Sequence, residues 1–197
     1  MKFARALFLS VLFPLSGFGA ATIYDQFVIV NTTGVQYYDI GPVTGNPDFQ
    51  GANLGATFNA GSDQLLLGGQ GRSFKDNSTD VTGMQLFYRI WQGSPGGAFS
   101  QFNYVFKSNL VGGNQEWGSD TGAPFYTANL LTGLSSGSYN LEVYSQITTN
   151  NVNAAPIIYN SNSGNNFVST FTVVPEPSRV LFSFFGLGIL MFRRRRA

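Results

Sequence analysis

Apolar and polar residues alternate through most of the middle of the chain, and no stretch of useful length follows the 3.6-residue period of a helix. The clearest alternation is Met84–Trp91, in which Met84, Leu86, Tyr88 and Ile90 share one face of a predicted strand. The other predicted strands are marked by Phe102, Tyr104 and Phe106, by Tyr139, Leu141 and Val143, by Phe167, Ser169, Phe171 and Val173, and by the shorter runs Phe27–Val30, Ala56–Phe58, Leu65–Leu67 and Phe125–Leu130.

Seven or eight short strands separated by Gly, Asn and Ser turns predict an all-β fold, an antiparallel β-sandwich, over residues 22–174. The segment Leu134–Val143 resembles the corner and penultimate strand of immunoglobulin- or fibronectin-like sandwiches. The resemblance implies that Tyr139 is a corner tyrosine, which hydrogen-bonds back to the backbone near Leu134. We therefore expect an immunoglobulin-like sandwich.

The composition excludes several kinds of chemistry. The chain has no Cys and no His, so disulfides, Cys nucleophiles, Ser-His-Asp catalysis and most zinc or copper sites are excluded. Charged residues make up only 11% of the chain, against about 25% in typical soluble domains. We expect a fold that needs no cofactor and holds no metal.

The charge of the body differs from that of the whole chain. Residues 22–178 contain four cations and ten acids, which leaves a formal charge of −6. The four cations are scattered rather than clustered, so the body offers no electrostatic footprint for nucleic acid. We expect no nucleic-acid partner.

Residues 1–21 have the three parts of a secretory signal peptide. Lys2 and Arg5 form the positive region, Ala6–Leu15 form the apolar region, and small residues at Gly19–Ala21 predict a cut before Thr22. The alternative is an uncleaved anchor, but ten apolar residues cover only about 15 Å of helix, half of a hydrocarbon core.

The C-terminal residues 175–197 also have three parts in strict order. The motif at 174–178 contains Pro175, Glu176 and Pro177, and its two prolines hold it out of any sheet ladder. A predicted helix at 180–192 follows, with Ser183 as its only polar side chain. Arg193, Arg194, Arg195 and Arg196 come last, and this basic cluster predicts a cytoplasmic C-terminus.

This order of Pro-Glu-Pro, short apolar helix and arginine cluster resembles the PEP-CTERM sorting signal of exported bacterial proteins. The resemblance covers about residues 173–197 and implies processing by an exosortase, a membrane enzyme. It also implies that Pro175, Glu176 and Pro177 are recognised and that Arg193–Arg196 retain the tail in the inner membrane. Proteins with this signal occur in bacteria that make exopolysaccharide.

Thirteen apolar residues span only about 20 Å as a helix, which is short for a full crossing. Outward-reaching arginines at both ends would relieve the mismatch, and a weak anchor suits a tail that is later cut. The alternative is a C-terminal helix buried in the fold, with a basic end.

Two tryptophans are candidates for sugar stacking. Trp91 and Trp117 would offer aromatic faces to sugar rings, and Trp117 is favoured because we expect it on a loop, beside Glu116 and Asp120. The alternative is that Trp91 packs or sits on the outer face of a strand and that Trp117 pins a loop.

The sequence gives less support to two other kinds of site, a calcium site and a pair of catalytic acids. Asp76–Asp80 and Asp63 offer oxygen ligands suited to Ca²⁺, although the spacing fits no complete EF-hand and an ordinary polar loop is the alternative. Glu116, Asp120 and Glu142 are the only plausible acids for a polysaccharide hydrolase, and nothing in the sequence places any two of them together. We expect Glu142 on the outer face of its strand.

Two segments, Asn31–Thr33 and Asn77–Thr79, match the N-glycosylation acceptor pattern, which is weak evidence in a bacterial chain.

The sequence favours an exported, non-enzymatic protein of the cell surface or exopolysaccharide matrix, as in biofilms. It would be anchored in the inner membrane as a precursor before processing. The alternatives are an extracellular carbohydrate-binding module and, less favoured, a small hydrolase.

Overall fold

The computed structural model describes residues 21–41, 45–55, 57–59, 61–75, 79–118, 127–151 and 156–175. The predicted signal peptide, apart from Ala21, lies outside these residues, as does the predicted tail after Pro175. No helix in the described part of the chain is both long and apolar enough to span a membrane.

The described residues fold almost entirely into strands, arranged in two mostly antiparallel sheets. The strands are β1 Thr22–Asn31, β2 Val35–Asp39, β3 Phe58–Asn59, β4 Leu66–Phe74, β5 Val81–Trp91, β6 Ser100–Asn103, β7 Phe106–Asn109, β8 Asn114–Gly118, β9 Gly137–Thr149, β10 Ile157–Asn160 and β11 Phe167–Val174. Two single 3-10 turns, Val111–Gly113 and Asn162–Gly164, complete the regular elements of the described residues.

The first sheet has the strand order β2-β1-β4-β8-β7, and the second has the order β3-β11-β9-β5-β6. Strand β9 is long enough to pair on one side with β5 over most of its length. On its other side it pairs first with β11 and then with β10. The one parallel strand pair of the described residues joins β11 to the short β3.

The inward side chains of both sheets form one hydrophobic cluster, which includes Val28 and Leu67 from the first sheet and Leu86, Leu141 and Phe171 from the second. A bulge in β1, where Asp25 has a φ of 45°, turns Gln26 into this core. There Gln26 accepts hydrogen bonds from Ser145 and from Asn160 Nδ2 of the second sheet. The buried amide is therefore satisfied and ties the two sheets together.

Three of the predicted strands are confirmed with the predicted inward faces, and a fourth is confirmed as a strand. Met84 and Leu86 are buried in β5, as are alternate residues of β9 and all four marked residues of β11. The run Phe27–Val30 lies within β1. The predicted strands at 56–58 and 65–67 overlap the starts of β3 and β4, although β4 continues to Phe74.

The single strand predicted at Phe102, Tyr104 and Phe106 is wrong. Phe102 lies in β6 of the second sheet and Phe106 in β7 of the first, so the chain changes sheet between them. At the crossing, the Tyr104 amide donates to the Met84 carbonyl, and the Val105 carbonyl accepts from the Gly118 amide in the other sheet. Alternation continues through the crossing because Phe102 and Tyr104 both face the core.

The strand predicted at Phe125–Leu130 is also wrong in its described part, which begins at Thr127. Here the chain lies along the start of β4 without forming a strand. The Leu67 amide donates to Thr127 Oγ1 (2.8 Å), and the Leu65 amide donates to Asn129 Oδ1 (2.9 Å). Polar side chains thus take the place of a backbone ladder. Strands β2, β8 and β10 were not predicted.

The corner tyrosine is confirmed. Tyr139 lies near the start of β9, and its hydroxyl donates a hydrogen bond of 2.9 Å to the Ser135 carbonyl oxygen, four residues upstream. Its ring stacks on Phe171 in the core. The bond fixes the turn that leads into the longest strand of the fold.

Candidate functional site

The outer face of the second sheet carries side chains that are unusual for a solvent-facing surface. Alternation turns one set of residues of β5 and β9 into the core and the other set outward. The outward set forms three rows across the strands: an amide row, an aromatic row and an ion-pair row. We call this surface the aromatic face, and its principal residues are Gln85, Phe87, Arg89, Trp91, Phe99, Asn103, Glu142, Tyr144, Gln146 and Tyr159.

The ion-pair row joins Arg89 of β5 to Glu142 of β9, which are register partners. Arg89 Nε lies 2.8 Å from Glu142 Oε2, and Arg89 Nη2 lies 3.0 Å from Oε1. Trp91 Nε1 and Asn166 Nδ2 also donate to the carboxylate, at 2.9 and 2.7 Å. Glu142 is therefore on the outer face, as predicted, yet its side chain is only 5% exposed.

These contacts set the charge state of Glu142. Burial alone would raise the pKa of this carboxyl, but the hydrogen bonds from Arg89, Asn166 and Trp91, together with the Arg89 charge, outweigh it. The pKa of Glu142 therefore lies below its ordinary value, and the group is ionised at neutral pH. A carboxylate held by four donors has a structural role rather than the raised pKa of a general acid.

The aromatic row lies beside the ion pair. Phe87 and Tyr144 stack with their ring centroids 4.6 Å apart, and Phe99 packs edge-on against Tyr144 at 5.0 Å. Tyr159 continues the row on β10, 6.2 Å from Tyr144. Burial, and secondarily the neighbouring Tyr159, raises the pKa of Tyr144. The Arg89 guanidinium lies over the Phe99 ring at 4.4 Å, which links the two rows.

The amide row runs parallel to the rings. Gln146 Nε2 donates to Gln85 Oε1 (2.6 Å), and Gln85 Nε2 donates to Asn103 Oδ1 (2.8 Å). The three amides are cross-strand neighbours on β9, β5 and β6. The row is uncharged and keeps unused hydrogen-bonding capacity, since each amide has two donors and an acceptor.

A cavity of about 460 Å³ adjoins the Tyr159 end of the face. It lies between the end of β2 and the β10–β11 turn. The side chains and backbone around it are those of Gly41, Tyr159, Asn160, Ser161, Asn162, Ser163 and Phe167. None of these described lining residues carries a charge at neutral pH.

Trp117 does not support the predicted sugar-stacking platform. It lies on β8, not on a loop, and only 5% of it is exposed. Its Nε1 donates to Ser73 Oγ (3.0 Å), and the ring packs edge-on against Phe106. The residue faces the core because it alternates with Glu116, which faces outward. It has no free ring face for a sugar.

Trp91 lies on the outer face of β5, which was one of the expected alternatives. The face as a whole was missed, although its signal was present. The outward positions between the inward residues of β5 read Gln85, Phe87, Arg89 and Trp91. Two rings and a cation on the polar side of an alternating strand indicate that the outer face is partly covered.

The hydrolase acids do not converge. Glu116 lies on the outer side of the first sheet, where its Oε1 accepts from Gln70 Nε2 (2.8 Å). Glu142 lies on the outer side of the second sheet. Because stacked sheets alone lie about 10 Å apart, the two carboxylates cannot flank one glycosidic bond, which needs about 5–9.5 Å. Asp120 lies outside the described residues.

The residues proposed for calcium are also separated. Asp63 precedes β4 and is held by the Asn59 backbone amide (2.8 Å), whereas Asp80 follows β4 and pairs with Lys75 (3.2 Å). The nine residues of β4 lie between them. Residues 76–78 are outside the described part, and within that part no three acidic side chains gather as a metal site would require.

The residues of the sorting motif are placed only at its start. Strand β11 ends at Val174, and Pro175 is exposed. Glu176, Pro177 and Arg193–Arg196 lie outside the described residues.

No family model, no curated protein and no solved structure matches this chain.

Proposed function

We propose that this chain is an exported, non-enzymatic protein of the cell surface or the exopolysaccharide matrix. In this proposal a signal peptide directs export, and the tail holds the precursor in the inner membrane with its C-terminus in the cytoplasm. An exosortase-like enzyme then recognises Pro175, Glu176 and Pro177 and processes the tail. The β domain is released to the surface or to the matrix.

One observation carries this proposal. The last core strand ends at Val174, and the next residue is the exposed first proline of the motif. Val173, two residues before Pro175, is 1% exposed, so strand β11 belongs to the core almost up to the motif. A processing enzyme would reach the motif without unfolding the domain. A C-terminal helix that completed the core would instead require the chain to turn back into the fold.

We further propose that the body is an immunoglobulin-like sandwich. In their order across the first sheet, β1, β4, β8 and β7 correspond to strands A, B, E and D of that fold. In the second sheet, β11, β9, β5 and β6 correspond to G, F, C and C′. The bond of Tyr139 to Ser135 supports the correspondence, because a corner tyrosine is typical of strand F. Strands β2, β3 and β10 are additions.

The placement of the carboxylates supports a non-enzymatic role. Glu142 is fully engaged by Arg89, Trp91 and Asn166, and Glu116 is on the opposite side of the molecule. Three cations of the body form ion pairs as well: Arg72 with Asp25 and Lys75 with Asp80 at more exposed positions, and Arg89 with Glu142. Glu142, whose pKa these donors hold below its ordinary value, contributes to the fold as a carboxylate.

The proposal is tested by replacing Pro175, Glu176 and Pro177 with alanine in the producing cells. The expected result is accumulation of a membrane-bound precursor and loss of the protein from the matrix fraction. A Pro95→Ala variant is the control, because Pro95 is an exposed proline in the Gly93–Gly97 turn of the body. If the triple variant reaches the matrix as well as the control does, the sorting proposal is wrong.

A further inference from the structure

Tyr159 connects the cavity to the aromatic face. The residue is 57% exposed, which is unusual for a tyrosine in a row of ring contacts. It lines the 460 Å³ cavity and lies 6.2 Å from the Tyr144 ring. A ligand in the cavity would therefore contact Tyr159 and could extend along the rings and the amide row.

The cavity has the size and chemistry of a small-ligand site. Its volume falls within the 300–1,000 Å³ typical of ligand pockets. The lining offers the amide of Asn162 and the hydroxyls of Ser161 and Ser163, together with one aromatic ring. The Asn160 amide nitrogen is already engaged, because it donates to Gln26 Oε1 (2.9 Å) and to the Ile40 carbonyl (2.8 Å). Amides and hydroxyls match the hydroxyl groups of a sugar, and an aromatic ring matches the apolar C–H face of a pyranose.

The turn that lines the cavity is held in a costly conformation. Asn162, Ser163 and Asn166 have φ values of 45°, 57° and 58°, in the left-handed region that few non-glycine residues adopt. The Asn166 amide donates to the Ser161 carbonyl (2.8 Å), and Asn166 Nδ2 donates to Glu142. The turn is thereby held in one conformation before binding, so ordering it would cost a ligand little entropy.

Charge limits what the site would accept. The described lining is uncharged, and the body from residue 22 to 178 carries a formal charge of −6. An acidic polysaccharide would be repelled by such a body, whereas a neutral one would not. The surface therefore suits a neutral polymer better than a polyanion.

We propose that the cavity beside Tyr159 binds a sugar residue of a neutral polysaccharide, and that the aromatic face is the path of the adjoining polysaccharide chain. This inference rests on the proposed function, since it assigns the matrix protein a contact to the matrix. Tyr159 stacks on the sugar ring, and Asn162 and Ser163 hydrogen-bond its hydroxyls. Trp117 takes no part.

The test is affinity electrophoresis of the full chain in detergent, on native gels that contain extracellular polysaccharide of the producing cells. The polysaccharide is first separated by anion exchange into neutral and acidic fractions. We expect the neutral fraction to retard the wild-type protein. Tyr159→Ala should require about tenfold more polysaccharide for equal retardation, which is the effect of one lost stacking contact.

Two further variants keep the test independent of folding. Ser163→Gly removes the hydroxyl and places glycine at a positive φ, so the variant should be at least as stable as the wild type. It should still require about threefold more polysaccharide for the same retardation, because one hydrogen bond to the sugar is lost. Tyr37→Ala removes a partly exposed tyrosine from the first sheet and should bind as the wild type does.

The inference is overturned if the neutral fraction fails to retard the protein, or if only the acidic fraction does. It is equally overturned if Tyr159→Ala binds like the wild type, or if Tyr37→Ala weakens binding as much. The sorting proposal is judged separately, by the location of the protein in the cells. A correctly sorted protein that shows no retardation would remove this inference alone.

Discussion

Arg89 and Glu142 face each other across β5 and β9 and form a two-pronged ion pair, with nitrogen–oxygen distances of 2.8 and 3.0 Å. The Arg89 and Glu142 side chains are 19% and 5% exposed, although both lie on the outer face of the sheet. Trp91 Nε1 and Asn166 Nδ2 donate two further hydrogen bonds to the carboxylate. The pair therefore anchors both the aromatic face and the turn that lines the cavity.

Replacing Glu142 with Gln is expected to lower the free energy of unfolding by about 2–3 kcal/mol. The variant leaves a mostly buried Arg89 without its counter-charge and disturbs the other donors. Chemical denaturation measures the loss. Glu116→Gln is the matched control, because Glu116 is on the first sheet and accepts a side-chain hydrogen bond from Gln70 Nε2. An equal loss in both variants would contradict the structural role of Glu142.

Stability should also depend on pH through Glu142. Its folded pKa lies below the ordinary value of 4.5, so the ionised group stabilises the fold at higher pH, and this contribution is lost as pH falls through the folded pKa. Between about pH 5 and pH 3 the wild type should lose more free energy of unfolding than Glu142→Gln. Asp63, whose pKa is lowered mainly by the Asn59 backbone amide, remains in both proteins. If the free energies of unfolding of the wild type and of Glu142→Gln fall in parallel with pH, the prediction is wrong.

Gly118 should not tolerate a side chain. Its φ is 113°, and an added Cβ would collide with the Gly69 carbonyl and with Gln70 Cα on the paired strand β4. Gly118→Ala is expected to cost at least about 2 kcal/mol in thermal or chemical unfolding. Gly83→Ala is the control, because Cβ there meets no atom within 4 Å. Similar behaviour of the two variants would show that the close approach of β4 and β8 is wrong.

The corner bond of Tyr139 is expected to contribute about 1 kcal/mol, the net value of one hydrogen bond. Tyr139→Phe keeps the ring stacked on Phe171 and removes only the hydroxyl that donates to Ser135. Denaturant unfolding should show the loss, while Tyr37→Phe on the first sheet should be neutral. If Tyr139→Phe has the same free energy of unfolding as the wild type, the corner hydrogen bond does not stabilise the fold.

The all-β class and several strands could be predicted because alternation reports burial on one face. The inward residues of β5 and β11 follow from local pattern alone, and the corner at Tyr139 follows from the resemblance of Leu134–Val143 to a known sandwich corner. The crossing at Tyr104 could not be predicted, because alternation stays in phase while the chain changes sheet. The Thr127–Leu130 segment was misjudged because Thr127 and Asn129 bond to β4 through side chains, which leaves an apolar pattern without a backbone ladder.

The candidate site was harder to predict than the fold. Trp117 was placed on a loop because Gly112, Gly113 and Gly118 flank it, yet the segment between them is the strand β8. The aromatic face is made by cross-strand neighbours such as Phe87 and Tyr144, which are far apart in sequence. Such pairs depend on strand register, which a single sequence does not reveal. The outward position of Glu142 was foreseen, but not its four donors.

The central claim, export followed by processing of the tail, is tested most directly by the intact mass of the mature protein isolated from the producing cells. The account predicts a chain that begins at Thr22 and ends close to Pro175–Ser178, with or without added sugar. A mass that still contains Phe192 and Arg193–Arg196 would contradict it, because the tail would then be a permanent membrane anchor.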